Sequence, residues 1–144
     1  DYWKENERLI DSIIKRRKYQ TMKKYYAHKN VSCYEHTLRV CKGCLDFVNK
    51  YRIKCDIQSL IRGALLHDYY LYDWHKNPPF TFHGFKHNYI AMKNADKEFK
   101  LNKKEKNMIY SHMFPLTFWA IPLSKEAWIL TIVDKIEATK DMKR

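Results

Sequence analysis

The chain has 144 residues and a formal net charge of +12, with 28 Lys+Arg against 16 Asp+Glu. That length fits one compact unit over residues 1–144, because two independent domains would each have a marginal core. The only glycines, Gly43, Gly63 and Gly84, lie far apart, which excludes a P-loop or a Gly-x-Gly dinucleotide cradle.

Few glycines and prolines also argue against a β-sandwich or barrel. Hydrophobic residues make up 45% of the chain and aromatics 15%, too much for a disordered segment. The basic excess suggests an anionic partner, without distinguishing a nucleotide, a nucleic acid or nothing in particular.

Apolar residues recur at helical spacing almost throughout. Trp3, Leu9, Ile10, Ile13 and Ile14 mark a first amphipathic helix, and Met22, Tyr25 and Tyr26 a short second one. The densest cationic run, Lys15-Arg16-Arg17-Lys18 followed by Lys23-Lys24, reads first as a solvated helix face. A nucleic-acid patch is the sharper alternative, but no zinc-finger spacing accompanies it.

Ser32-Cys-Tyr-Glu35 has the form of a capping box, opening a helix to about Tyr51. Asp56 caps a helix through Leu60, Ile61, Ala64 and Leu65 to His67-Asp68. Residues 70–82, with Pro78-Pro79, form a loop, and a helix follows from about Phe85 to Phe99. Tyr69, Tyr70, Tyr72 and Trp74 read as core or lid packing, with base stacking as the alternative. Asn102-Lys-Lys-Glu105 caps a helix ending near His112, Pro115 and Pro122 bracket a loop, and Ser124 caps the last helix. No strand is expected, and the reading is all-α with about six to seven helices.

Cys41-Lys-Gly-Cys44 lies inside the apolar pattern of Leu38, Leu45 and Val48, with no second C-x-x-C, so buried core thiols are expected. The chain shows no signal peptide and no run of eighteen apolar residues. A soluble cytoplasmic protein without a membrane partner is therefore expected.

The most informative segment is Gly63-Ala-Leu-Leu-His67-Asp68, a hydrophobic helix running into an imidazole and a carboxylate. A buried Asp there needs compensation, which a metal ion would supply. Gly63 and Ala64 would let a neighbouring helix approach closely. Asp134 sits in the core-facing Trp128–Ile136 segment and, taken alone, reads as an ion pair with Lys135 or Lys140. His36, alone in Tyr34–Val40, reads as an ordinary helical histidine.

Together, His36, then His67-Asp68, then Asp134 resemble the HD-domain superfamily over about residues 32–141, with residues 1–30 as basic helices packing on that core. The segments Ala64–Trp74, His83-Gly-Phe-Lys-His87 and His112-Met-Phe-Pro-Leu-Thr117 look most like small stand-alone HD-domain proteins of Firmicutes. The resemblance implies a divalent metal on His36, His67, Asp68 and Asp134, and a second on Asp68, His87 and His112 as in binuclear members. His83, four residues before His87, would share its helix face if the helix begins early. His87 is taken as the ligand, and His83 as a support or substrate contact.

These ligands suit Fe, Mn, Zn, Ni or Co alike. Two metals about 3.5–4 Å apart, bridged by Asp68 and a hydroxide, would give a nucleophile at neutral pH. The resemblance therefore implies a metal-dependent phosphohydrolase acting on a nucleotide or other small phosphate ester or pyrophosphate. Asp68, His83 and Lys135 are its catalytic candidates, and His75, Lys86 and Arg39 are further candidates for phosphate contact. The Gly-Tyr-Pro motif of the cyclic-dinucleotide-cleaving members is absent. A di-iron oxygenase on the same ligands, or a non-catalytic nucleic-acid-binding module on the basic helices, remain the alternatives. The sequence does not give the oligomeric state.

Overall fold

The computed structural model describes residues 1–28, 30–73 and 83–143, apart from the side chains of residues 83–85. Helices dominate, as expected, although the described residues form eight α-helices rather than six or seven.

The expected first helix is two, α1 (Tyr2–Glu5) and α2 (Glu7–Ile14). They break at Asn6, whose side-chain amide donates to the Tyr2 carbonyl at 2.9 Å and competes with the backbone ladder. The expected second helix is shorter than its apolar pattern: α3 (Arg17–Gln20) passes into a 3₁₀ turn at Thr21–Lys24. Tyr26 then leaves the helix for a strand. Strands β1 (Tyr26–His28) and β2 (Val31–Ser32) pair antiparallel, with Tyr26 opposite Ser32 and His28 opposite Val31. This corrects the expectation of no strand, since pieces two and three residues long are too short to show alternation. The cationic run is exposed, with Lys15 paired to Asp11 and Arg16 to Glu98.

The remaining helices begin where the capping residues stand. Ser32 opens α4 (Cys33–Lys50), accepting from the Glu35 amide, and Asp56 opens α5 (Ile57–Leu66), accepting from Ser59. Helix α6 (His83–Phe99) starts two residues before the expected Phe85. A full capping box of Asn102 and Glu105 opens α7 (Lys103–Ser111), and Ser124 opens α8 (Lys125–Met142). Such caps satisfy amides that have no partner within the helix, each worth about 1 kcal/mol.

Helix α5 is apolar almost all round because it is the central element, packed against α2, α4, α7 and α8. Leu60, Ile61, Leu65 and Leu66 are fully buried, each contributing about 1.5–3 kcal/mol. Gly63 provides the expected close approach: a Cβ there would lie 2.9 Å from the Met108 sulfur on α7. Cys41 and Cys44 are free, buried thiols on α4, as expected. Tyr69 and Tyr70 are buried, Tyr69 stacking on Tyr19, so both pack the core. Trp74 and His75 lie outside the described residues. No helix among the described residues is long and apolar enough to cross a membrane.

Candidate metal centre

Five helices deliver one side chain or a pair to a common point. His36 stands one turn into α4, whose start the Ser32 cap fixes. His67 is the C-terminal cap of α5 and Asp68 follows it. His112 caps α7 in the same way, His87 lies on α6, and Asp134 is in the middle of α8. All six are buried.

The helix ends also fix the rings. The Nδ1 atoms of His67 and His112 each lie 2.6 Å from the carbonyl three residues back, Ala64 and Ile109 respectively. These carbonyls belong to the last turn, where a carbonyl has room for a side-chain donor; Ile109 also accepts the His112 amide at 3.4 Å. Donating Nδ1–H to them leaves each Nε2 as a lone pair aimed inward.

Asp68 sits between two sets of these nitrogens. Its Oδ2 is 3.8 Å from His36 Nε2 and 3.5 Å from His67 Nε2. Its Oδ1 is 3.6 Å from His87 Nε2 and 3.5 Å from His112 Nε2. Asp134 Oδ1 closes the first set, 2.7 Å from His36 Nε2 and 3.0 Å from His67 Nε2. The groups His36/His67/Asp68, His67/His112/Asp134 and Asp68/His87/His112 each bring three ligand atoms within metal-binding reach.

The donor set fits divalent cations. His87 Nε2 and His112 Nε2 face each other at 3.0 Å. His112 has committed its Nδ1 proton to Ile109, so a lone pair faces its neighbour, and a proton or cation must sit between them.

The electrostatics show the same strain on charge. Burial opposes the charged form of His36, but the hydrogen bonds it donates to Asp134 and Asp141 outweigh this and raise the pKa to about 10. His67 is likewise raised, against burial, by Asp68 and Asp134. Burial pushes the Asp68 and Asp134 carboxyls up, and the surrounding imidazoles more than reverse it. Burial lowers Lys135, with Asp134 opposing.

Asp134 is therefore no surface ion pair: its partners are His36 and His67, while Lys140 pairs with Glu137. Two residues that sequence reasoning missed adjoin the cluster. Asp141 Oδ2 lies 2.7 Å from His36 Nδ1, and His28 stacks edge-on against the His36 ring at 5.0 Å. Asp141 had a signal, since it stands two helical turns after Asp134 and so shares its face. His28 had none.

A cavity of about 500 Å³ opens over the cluster. Asp68, His87, His112 and Asp134 line it, with apolar walls including Tyr70, Met113, Pro115 and Ala138. Lys135 also lines it, its Nζ donating to the His112 carbonyl at 3.2 Å. Arg39 is removed from the phosphate candidates, because its guanidinium is bound to Asp141 and Glu35. Lys86 is exposed on α6 and does not line the cavity. His83 begins α6, so it precedes His87 by one turn, but its side chain lies outside the described residues, as does His75.

The model of the family described as "HD domain" matches residues 33–139. The chain belongs to the HD-domain family. That membership carries a superfamily character of metal-dependent phosphohydrolase type, with which the buried His/Asp cluster is compatible. Comparison with curated proteins and with solved structures gave no significant match. Asp141 falls two residues beyond the matched stretch.

Proposed function

We propose that this HD-domain chain is a metal-dependent phosphohydrolase acting on a nucleotide or other small phosphate ester or pyrophosphate. His36, His67, Asp68 and Asp134 hold one divalent metal, and Asp68, His87 and His112 hold a second. The observation that carries this reading is the division of Asp68, one carboxylate oxygen toward each histidine set. Bound metals supply Lewis acidity toward phosphoryl oxygens and a water acidic enough to attack near neutral pH.

The protein's own part is placement. Asp68 fixes the spacing of the two sets, and the Nδ1–carbonyl bonds keep His67 and His112 from rotating. Lys135 offers the cavity a cation for a phosphoryl oxygen, and burial favours its neutral form, which an arriving anion would reverse. The apolar walls take the base or other organic part and limit water. His83 contacts the substrate or supports His87 from one turn away. Residues 1–144 act as one HD-type unit in a reducing cytoplasm, where four free cysteines are stable.

The test is chelation, reconstitution with Mn²⁺, Fe²⁺ or Co²⁺, and phosphate release from a panel of nucleotides, pyrophosphate and simple phosphomonoesters. Metal-dependent release that Asp68→Ala abolishes is expected. Metal uptake with no release from any member of the panel contradicts the reading.

A further inference from the structure

A second feature of the fold lies outside the metal cluster. From Asn107 to Ser124 the chain carries no Asp, Glu, Lys or Arg. Much of this stretch is the connection between α7 and α8, and it turns large apolar side chains outward. Phe118 is 71% exposed and Leu123 77%, with Leu116 and Ile121 about half exposed. Helix α8 extends the surface: Trp128, Ile132 and Ile136 recur every four residues and are all exposed. Phe114 meets Trp128 edge-on at 5.5 Å, joining the connection to the helix face. Soluble chains seldom leave so many large apolar groups together in water.

The exposed charges of α8 itself have one sign. Every acid of α8, Glu126, Asp134, Glu137 and Asp141, is buried. Of its lysines, Lys125 and Lys140 are exposed, as is Lys143 just beyond, with Lys140 also reaching the buried Glu137; Lys135 turns its amine to the His112 carbonyl. The helix therefore presents to solvent an apolar stripe whose only charged neighbours on α8 are lysines. A second copy would set lysines against lysines on chains that each carry +12. An apolar layer beneath an anionic surface complements both the stripe and its rim.

We propose that this face docks on the surface of an anionic lipid bilayer, with the Phe118–Leu123 segment entering the headgroup boundary and the α8 lysines against the headgroups. Exposed aromatic and aliphatic tips flanked by lysine are the side chains that such a boundary holds. Such docking goes beyond the expectation of no membrane partner, and it needs no spanning helix, which the described residues lack. Leu116 belongs both to the face and to the cavity lining, so the docked face places the cavity mouth at the bilayer.

The experiment uses the full chain with vesicles of phosphatidylcholine containing phosphatidylglycerol, and with vesicles of phosphatidylcholine alone. Co-sedimentation with the anionic vesicles only, weakening as salt rises, is expected. Phe118→Ser/Leu123→Ser is expected to lower partition about tenfold or more. Lys140→Gln/Lys143→Gln is expected to lower it about fivefold per lysine. Circular dichroism checks each fold, and the lysine variant stands alone as a test if the apolar one does not fold. Absence of binding, equal binding to both vesicle types, or binding that both folded variants retain overturns the proposal. So does dimerisation of the chain without vesicle binding, which assigns the face to a second copy. None of these readouts uses metal or hydrolysis, so the outcome is independent of the proposed activity.

Discussion

Asp141 accepts a hydrogen bond from His36 Nδ1 at 2.7 Å, while Asp134, two turns earlier on the same helix, holds His36 Nε2. The two carboxylates grip both edges of one ring, and Arg39 reaches Asp141 from the other side at 3.4 Å. Such a partner fixes the ring's tautomer and raises its basicity as a ligand. Asp141→Asn, which keeps the shape and can still accept through its carbonyl, is expected to weaken metal at the His36 set by about tenfold to a hundredfold. Competitive chelator titration measures this. Undiminished affinity would show that Asp141 merely fills space.

The 3.0 Å approach of His87 to His112 makes a second prediction. His87→Ala or His112→Ala empties only the set built on Asp68 Oδ1, so metal content falls from about two per chain to about one. Elemental analysis after reconstitution decides it. An unchanged count would show that neither imidazole is a ligand.

A third prediction concerns how α4 and α8 meet. A Cβ at Gly43 would lie 2.8 Å from Val133 Cγ1, beside Asp134. Alanine favours a helix over glycine by about 1 kcal/mol, but the branched Val133 has little freedom to yield. Gly43→Ala is expected to destabilise the fold by about 1–2 kcal/mol in urea unfolding. The cost of Val133→Ala should be smaller in the Gly43→Ala background than in the wild type. A more stable Gly43→Ala would mean that the helices part without cost.

The fourth concerns pH. Burial pushes the Glu126 carboxyl up, but the Asp56 amide, which it accepts at 2.7 Å, and nearby Lys104 outweigh this and hold it below its usual range. A depressed carboxyl stabilises the fold above its unfolded pKa and loses that contribution as pH falls through the folded value. Glu126→Gln is expected to cost about 1.5–3 kcal/mol at neutral pH, the worth of a hydrogen bond to a charged group. The deficit should shrink as acid neutralises the wild-type carboxylate. A deficit that is constant with pH would remove the charge from the explanation.

How much of this was legible in the sequence follows from the range of each interaction. Ser32, Asp56, Asn102 and Ser124 mark helix starts through bonds to residues three ahead, and all four caps are present. The order His36, His67-Asp68, Asp134 was readable because the resemblance links residues that the chain separates. What failed was either very short or purely tertiary. The break at Asn6 depends on one side chain turning back on Tyr2, and β1 and β2 are too brief for any periodicity. Arg39 looked like a phosphate contact because nothing local shows its bond to Asp141, 102 residues away. Asp134 looked like a partner for lysine for the same reason: His36, its actual partner, is 98 residues earlier.

The central claim is that Asp68 joins two metal sites. Metal content per chain of the reconstituted protein, measured beside Asp68→Ala, tests it most directly. The account predicts about two metals in the wild type, with both lost together in the variant along with phosphate release. A wild type that takes up one metal, or an Asp68→Ala chain that keeps both, would contradict it.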